Sequence, residues 1–144
     1  MAIEIKERLQ IQVFGFGGKA ENKDYAGTAF KLMDKLWQLV KSKQLDHQGK
    51  NVWVYEPKEM VFAGVEFNTP PESETGLEQK TLIHEKYAYF KHIGPYHLIK
   101  EAGQKMQEEL SRQGFEIKGP YIEIYGHWSA DESKLETELL MVLE

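Results

Sequence analysis

Between Leu9 and Gly17 apolar and polar residues alternate. Leu9, Ile11 and Val13 fall on one side of an extended chain, and Gln10, Gln12, Phe14 and Phe16 on the other. Alternation of this kind predicts a β-strand, ended here by Gly17-Gly18. The period then changes. Ala26, Ala29, Phe30, Met33, Leu36, Trp37 and Val40 recur every three or four residues, which predicts an amphipathic helix with Asp24 as its N-cap. Gly49 falls in the following loop. Val52 to Tyr55 reads as a short strand, Glu56-Pro57-Lys58-Glu59 as a turn, and Met60 to Phe67 as a second strand.

A polar stretch with Pro70 and Pro71 follows, and it reads as a linker over about residues 68–79, since proline cannot feed a sheet ladder. After it the order of elements repeats. Leu82 to Phe90 is a strand, broken by Gly94-Pro95. Leu98, Ile99, Ala102, Met106 and Leu110 mark a helix, with Arg112 in its last turn and Gly114 as a stop. Gly119-Pro120 opens a strand from Tyr121 to Tyr125, and Glu138 to Leu143 closes the chain.

Each half therefore reads β-α-β-β, with Tyr55 and Tyr125, and Gly18 and Gly94, at matching places. The expected architecture is α+β: one domain over residues 1–144, made of duplicated βαββ modules (about 1–70 and 80–144) related by a pseudo-twofold axis. Joined, they form an antiparallel sheet with two long helices and a central groove between the units.

Composition adds mostly exclusions. Among 144 residues there is no cysteine, which removes disulfides, cysteine nucleophiles and thiolate metal sites. His47, His84, His92, His97 and His127 show no tight ligand spacing, so neither a metal nor a cofactor is expected. The net charge of -5, with scattered basic residues, speaks against direct nucleic-acid binding. No apolar run approaches the ~20 residues of a membrane span and the charged N-terminus is not a signal peptide; a cytoplasmic protein, monomer or homodimer, is the default expectation. Gly15-Phe16-Gly17-Gly18 lacks the pattern of a phosphate loop and is read as a turn.

The candidate chemistry lies in Tyr121-Ile122-Glu123-Ile124-Tyr125. Period two turns Ile122 and Ile124 one way and Tyr121, Glu123 and Tyr125 the other. A carboxylate among aromatic faces attracts a lipophilic cation; a simpler explanation is a strand whose polar face is wet. Trp53 and Tyr55 have the same parity on the equivalent strand of the first half. Glu66 is an acid on the face of Met60, Phe62 and Gly64, and Glu138 begins the last strand. Trp37 and Phe30 sit on the helix stripe, where core packing competes with a place in the groove wall. Tyr89 and Tyr96 flank the Gly94-Pro95 turn.

Tyr89-Phe90-Lys91-His92-Ile93-Gly94-Pro95-Tyr96, then a helix, then Gly119-Pro120 with Glu123-Ile124-Tyr125, then Thr137-Glu138-Leu139, resembles the GyrI-like domain, also called the AraC-type or multidrug-activator effector-binding domain. Ala63-Gly64-Val65-Glu66 fits the closing strand of its first repeat. The resemblance runs from about Leu9 to Leu143. It implies a groove that binds small molecules, often lipophilic cations, through a buried acid and aromatics. Many members of this bacterial, regulation-related family are fused to a helix-turn-helix domain. With its first strand beginning near residue 9, this chain is expected to be a stand-alone effector domain.

On that resemblance Glu123 is the acid, and Tyr125, Tyr121, Trp53, Tyr55, Glu66, Trp37, Tyr89 and Glu138 are the other candidate ligand contacts. The expected function is binding of cationic drugs rather than catalysis. The alternatives are a hydrolase of strained electrophiles using a Glu/Tyr pair, as in a subset of relatives, and a protein-interaction module such as a gyrase inhibitor.

Overall fold

A computed structural model describes residues 1–45, 50–67 and 75–144. In chain order the elements are β1 (Glu4–Lys19), α1 (Tyr25–Ser42), β2 (Asn51–Glu56), β3 (Met60–Val65), β4 (Glu78–Ile93), α2 (Ile99–Arg112), β5 (Ile117–Tyr125) and β6 (Glu136–Leu143). Single 3₁₀ turns precede α1, α2 and β6.

The six strands are antiparallel throughout and close into a barrel in the order β1-β3-β2-β5-β6-β4. The expected antiparallel sheet is present and closes on itself. Closure comes from the pairing of β1 with β4, from Glu4 opposite Tyr89 to Gly15 opposite Glu78. Both strands are 16 residues long, well beyond the apolar alternation that marks their middles. Their ends are charged (Glu4, Lys6, Glu7 and Glu78, Lys80) and carry no hydrophobic signal. β3 ends at Val65, so Glu66 lies just past the strand. The expected linker falls mainly on residues 68–74, which, like His47 and Gly49, lie outside the described residues; Glu78 and Gln79 already belong to β4.

Period two sorts the side chains into two layers. Leu9, Val13, Val52, Val54, Phe62, Leu82, Ile122, Ile124, Leu140 and Val142 fill the barrel. Each such side chain contributes about 1.5–3 kcal/mol through burial. The alternate residues face outward, under the helices. The barrel is drawn tight where β1 meets β3: a Cβ on Gly15 would stand 1.9 Å from the Ala63 carbonyl oxygen, so only glycine fits.

The side chain of Asp24 accepts a hydrogen bond from the Gly27 N–H at 3.0 Å and starts α1 as a capping acid should. The buried stripe of Ala29, Leu36 and Val40 then lays α1 on Phe16, Val61, Ala63 and Val65. In α2, Ile99, Ala102, Met106 and Leu110 pack on Ala88, Leu139, Met141 and Leu143. One helix thus covers β1 and β3 and the other covers β4 and β6. The central pair, β2 and β5, shows its outer face between them. No helix among the described residues is long and apolar enough to cross a membrane.

Candidate functional site

A cavity of about 940 Å³ opens in the trough between the helices. Its floor is the outer face of β2 and β5: Asn51, Trp53 and Tyr55 from one strand, Tyr121, Glu123 and Tyr125 from the other. The ladder sets these residues in three cross-strand pairs, Asn51 with Tyr125, Trp53 with Glu123 and Tyr55 with Tyr121. Side chains paired in this way are neighbours. Tyr25, Phe30 and Met33 of α1 form one wall, and Ile99, Gly103 and Gln107 of α2 the other.

Glu123 is 6% exposed, and three phenols donate to it. Tyr125 reaches Oε1 at 2.6 Å, Tyr121 reaches Oε2 at 2.7 Å, and Tyr55 reaches Oε1 at 3.2 Å. Hydrogen bonds to a charged acceptor are the strong ones, and they meet the need of a carboxylate removed from water. Tyr55, Tyr121 and Tyr125 are all pushed well above the ordinary phenol value, first by burial, then by the negative charge of Glu123 and by the bonds they donate to it. The three remain donors across the physiological range.

The rings also hold one another. Tyr55 stacks on Tyr121 with centroids 5.7 Å apart and planes 22° apart. Trp53 meets Tyr125 edge-on at 4.9 Å, Phe30 meets Trp53 at 5.1 Å, Tyr25 meets Tyr55 at 6.1 Å, and Tyr96 meets Tyr125 at 5.6 Å. Edge and offset contacts of this kind add about 0.5–1.5 kcal/mol each beyond burial. The cavity is therefore an aromatic box with one acid in its floor. Lys23, Lys100, Gln104 and His127 stand among its lining, as does Trp128, which is 76% exposed.

Five of the expected contacts, Glu123, Tyr125, Tyr121, Trp53 and Tyr55, meet here. Four do not line the cavity: Glu66, Trp37, Tyr89 and Glu138. Glu138 pairs with Ile124, which points into the barrel, whereas Glu123 pairs with Leu139, which points out. One residue of register separates the two acids onto opposite faces. Tyr89 packs against the barrel interior and is hydrogen-bonded to Glu138; burial first, then that acid's charge, pushes its phenol up to about 12. Glu66 is raised by burial and by Glu138, with Lys50 opposing. These three form a separate polar group away from the floor acid. Trp37, on α1, packs against the cluster of Phe16, Leu36, Val40 and Val65 and donates its indole N–H to Asn51 Oδ1 at 2.8 Å.

Tyr25, Tyr96, Asn51 and Trp128 line the cavity without having been singled out for it by the sequence, and Phe30 joins them from the helix stripe. A signal existed for Trp128, an isolated tryptophan in a polar loop. Tyr25 and Tyr96 each stand at the start of a helical region, where strand parity and helical period are both silent. Among the described residues no group of three or more His, Asp or Glu is placed to hold a metal ion.

Solved structures share this architecture. The EcmrR C-terminal domain superposes with a TM-score of 0.75 at 16% identity, covering 99% of this chain and 97% of that one. SAV2435 bound to tetraphenylphosphonium gives 0.71 at 15% identity, covering 100% and 94%. A protein from Listeria innocua described as a hydrolase gives 0.60 at 11% identity, covering 99% and 91%. Identities this low speak for the fold alone. No curated protein sequence matches significantly. A family model for the GyrI-like small molecule binding domain does match, over residues 1–144, and the chain belongs to that family.

Proposed function

We propose that the chain binds lipophilic cationic compounds in the cavity between α1 and α2, serving drug sensing or sequestration in the cytoplasm. The observation that carries this reading is Glu123: a buried acid, held by three phenols, in the floor of an aromatic box. A carboxylate offers roughly four lone-pair sites, and three are taken by the tyrosines. Little is left for a hydrogen-bonding ammonium, which would also have to shed its water. A delocalised or shielded cation asks for no hydrogen bond and loses little hydration. It gains the charge of Glu123 and the faces of Trp53, Tyr55, Tyr121 and Tyr125. That a relative of the same fold is known with tetraphenylphosphonium bound supports the choice of ligand class.

The strand order supports reading the domain as two repeats, about 1–70 and 80–144. Exchanging β1, β2 and β3 with β4, β5 and β6 leaves the barrel order unchanged. On this reading Trp53 and Tyr55 are the first repeat's counterparts of Glu123 and Tyr125, and the cavity straddles the pseudo-twofold axis. Direct nucleic-acid contact is not part of the proposal.

The test is calorimetric titration with tetraphenylphosphonium. Saturable binding is expected, weakened on the order of 10- to 100-fold in Glu123→Gln. Absence of binding, or equal affinity in both proteins, overturns the proposal.

A second reading, hydrolysis of strained electrophiles, draws on the same carboxylate beside tyrosine acids and on neighbours described as hydrolases. Occupied lone pairs make Glu123 a poor nucleophile, which favours the binding reading. Turnover that vanishes in Glu123→Gln would reverse that order.

A further inference from the structure

We infer that Asn51 donates a hydrogen bond to the bound molecule, that Trp37 fixes its direction, and that the preferred ligand carries a hydrogen-bond acceptor about one aromatic ring away from its cationic centre. The inference rests on the reading of the cavity as a cation site.

An indole N–H can only donate. The Asn51 atom that Trp37 Nε1 meets at 2.8 Å is therefore the amide oxygen, which settles an orientation that amide shape alone leaves open. With the oxygen engaged, the amide NH₂ carries the remaining hydrogen-bonding capacity. Asn51 lies in the cavity floor, on the same face of β2 as Trp53 and Tyr55. Among the described residues no group accepts from its Nδ2. The next residue on that face, Trp53, is 5% exposed, and its indole N–H likewise has no hydrogen-bond partner among the described residues.

Three phenol protons are committed to Glu123, and among the described residues the donors of the floor left without a protein acceptor are the Asn51 amide and the Trp53 indole N–H. A purely apolar ligand would strip water from that amide and return nothing. A ligand with a carbonyl, ether or sulfonyl oxygen at the right place would satisfy it.

The ladder gives the place. Trp53 faces Glu123 across the strands, and Asn51 is two residues further along β2, about 7 Å away. A ligand lying along β2 from beside Glu123 toward Asn51 would cover a length of about this backbone rise, comparable with the reach from a phosphonium or ammonium centre, across one phenyl ring, to a para carbonyl oxygen. Trp37 acts only through Asn51, as a positioning residue, since it does not line the cavity itself.

The experiment is calorimetric titration with three probes: tetraphenylphosphonium, triphenyl(para-acetylphenyl)phosphonium and triphenyl(para-isopropylphenyl)phosphonium. The last two share charge and shape and differ in the acceptor. In the unaltered protein the acetyl probe is expected to bind about tenfold more tightly than the isopropyl probe. Asn51→Leu is expected to bring that ratio to about one. Trp37→Phe, which keeps a ring and removes the N–H, is expected to bring it partway. Equal affinities for the pair in the unaltered protein overturn the inference while leaving the cation reading standing if tetraphenylphosphonium binds. A ratio unchanged in both variants overturns it as well. Failure of all three phosphonium probes to bind overturns the cation reading and the inference together.

Discussion

Tyr125 donates to Glu123 at 2.6 Å although both side chains leave the same strand, two residues apart. Tyr121, two residues to the other side, does the same at 2.7 Å. A strand normally keeps such neighbours parallel and separate. Here the acid is short of water, and the phenols on either side turn inward to it.

The three phenols should therefore be unequal. Tyr125→Phe keeps the ring and removes a short bond to a buried acid. The expected loss is about 1.5–3 kcal/mol of folding stability, read from urea unfolding. Tyr55→Phe removes the 3.2 Å contact and is expected to cost less. Negligible losses in both would show that ring packing, which both substitutions keep, rather than donation to Glu123, sets the stability of the floor.

Alkaline pH probes the same cluster. Each phenol is raised in the folded protein, so each holds its proton better folded than unfolded. The resulting stabilisation is complete below the ordinary phenol value of 10.0 and is lost as pH rises from there toward the folded values. Stability measured between about pH 9 and 11 should fall. In Glu123→Gln the folded phenol values drop, because the acid's charge is one of the causes of the shift while burial, the largest cause, remains; the fall should therefore level off at a lower pH. A fall that levels off at the same pH would place the whole effect on burial.

Glu66 should behave differently from Glu123. Its carboxyl is raised by burial and by Glu138, and such a group stabilises below its ordinary value of 4.5 and loses that contribution as pH rises through its folded value. At neutral pH, Glu66→Gln is expected to raise the melting temperature, while phosphonium affinity stays within about twofold. A loss of affinity as large as that expected for Glu123→Gln would bring Glu66 into the binding site after all.

Gly103 lets α2 come down beside Tyr121, whose hydroxyl would stand 3.6 Å from an added Cβ. That is ordinary contact, so Gly103→Ala should stabilise the mid-helix position by about 0.5–1 kcal/mol. Gly103→Leu should instead fill the cavity and abolish phosphonium binding with the fold intact, as seen by circular dichroism.

The floor of the cavity was legible in the sequence because it depends on parity alone. Alternation put Tyr121, Glu123 and Tyr125 on one face and Trp53 and Tyr55 on one face, and the ladder joined the two sets. What was not legible depends on alignment between strands. Glu138 and Glu123 both look like acids on aromatic strands; only the register of β5 against β6 shows that one follows Ile124 inward and the other does not. Barrel closure was hidden for a related reason. The N-terminal ends of β1 and β4 are mostly charged or polar, and their pairing is held by backbone hydrogen bonds that carry no sequence signature. The helical stripe left Trp37 between core packing and the groove wall; it does not line the cavity and meets the floor through Asn51.

The closed barrel has a consequence for how such a site adapts. β2 and β5 are each bonded to a strand on both sides, so the floor can neither fray nor spread. Differences in ligand bulk must be taken up overhead, by Phe30, Tyr96 and Trp128 and by the helices that carry or adjoin the first two. On the cation reading, charge would be read by a part that cannot yield and shape by parts that can. Dissimilar cations would be held at one fixed point and wrapped differently around it.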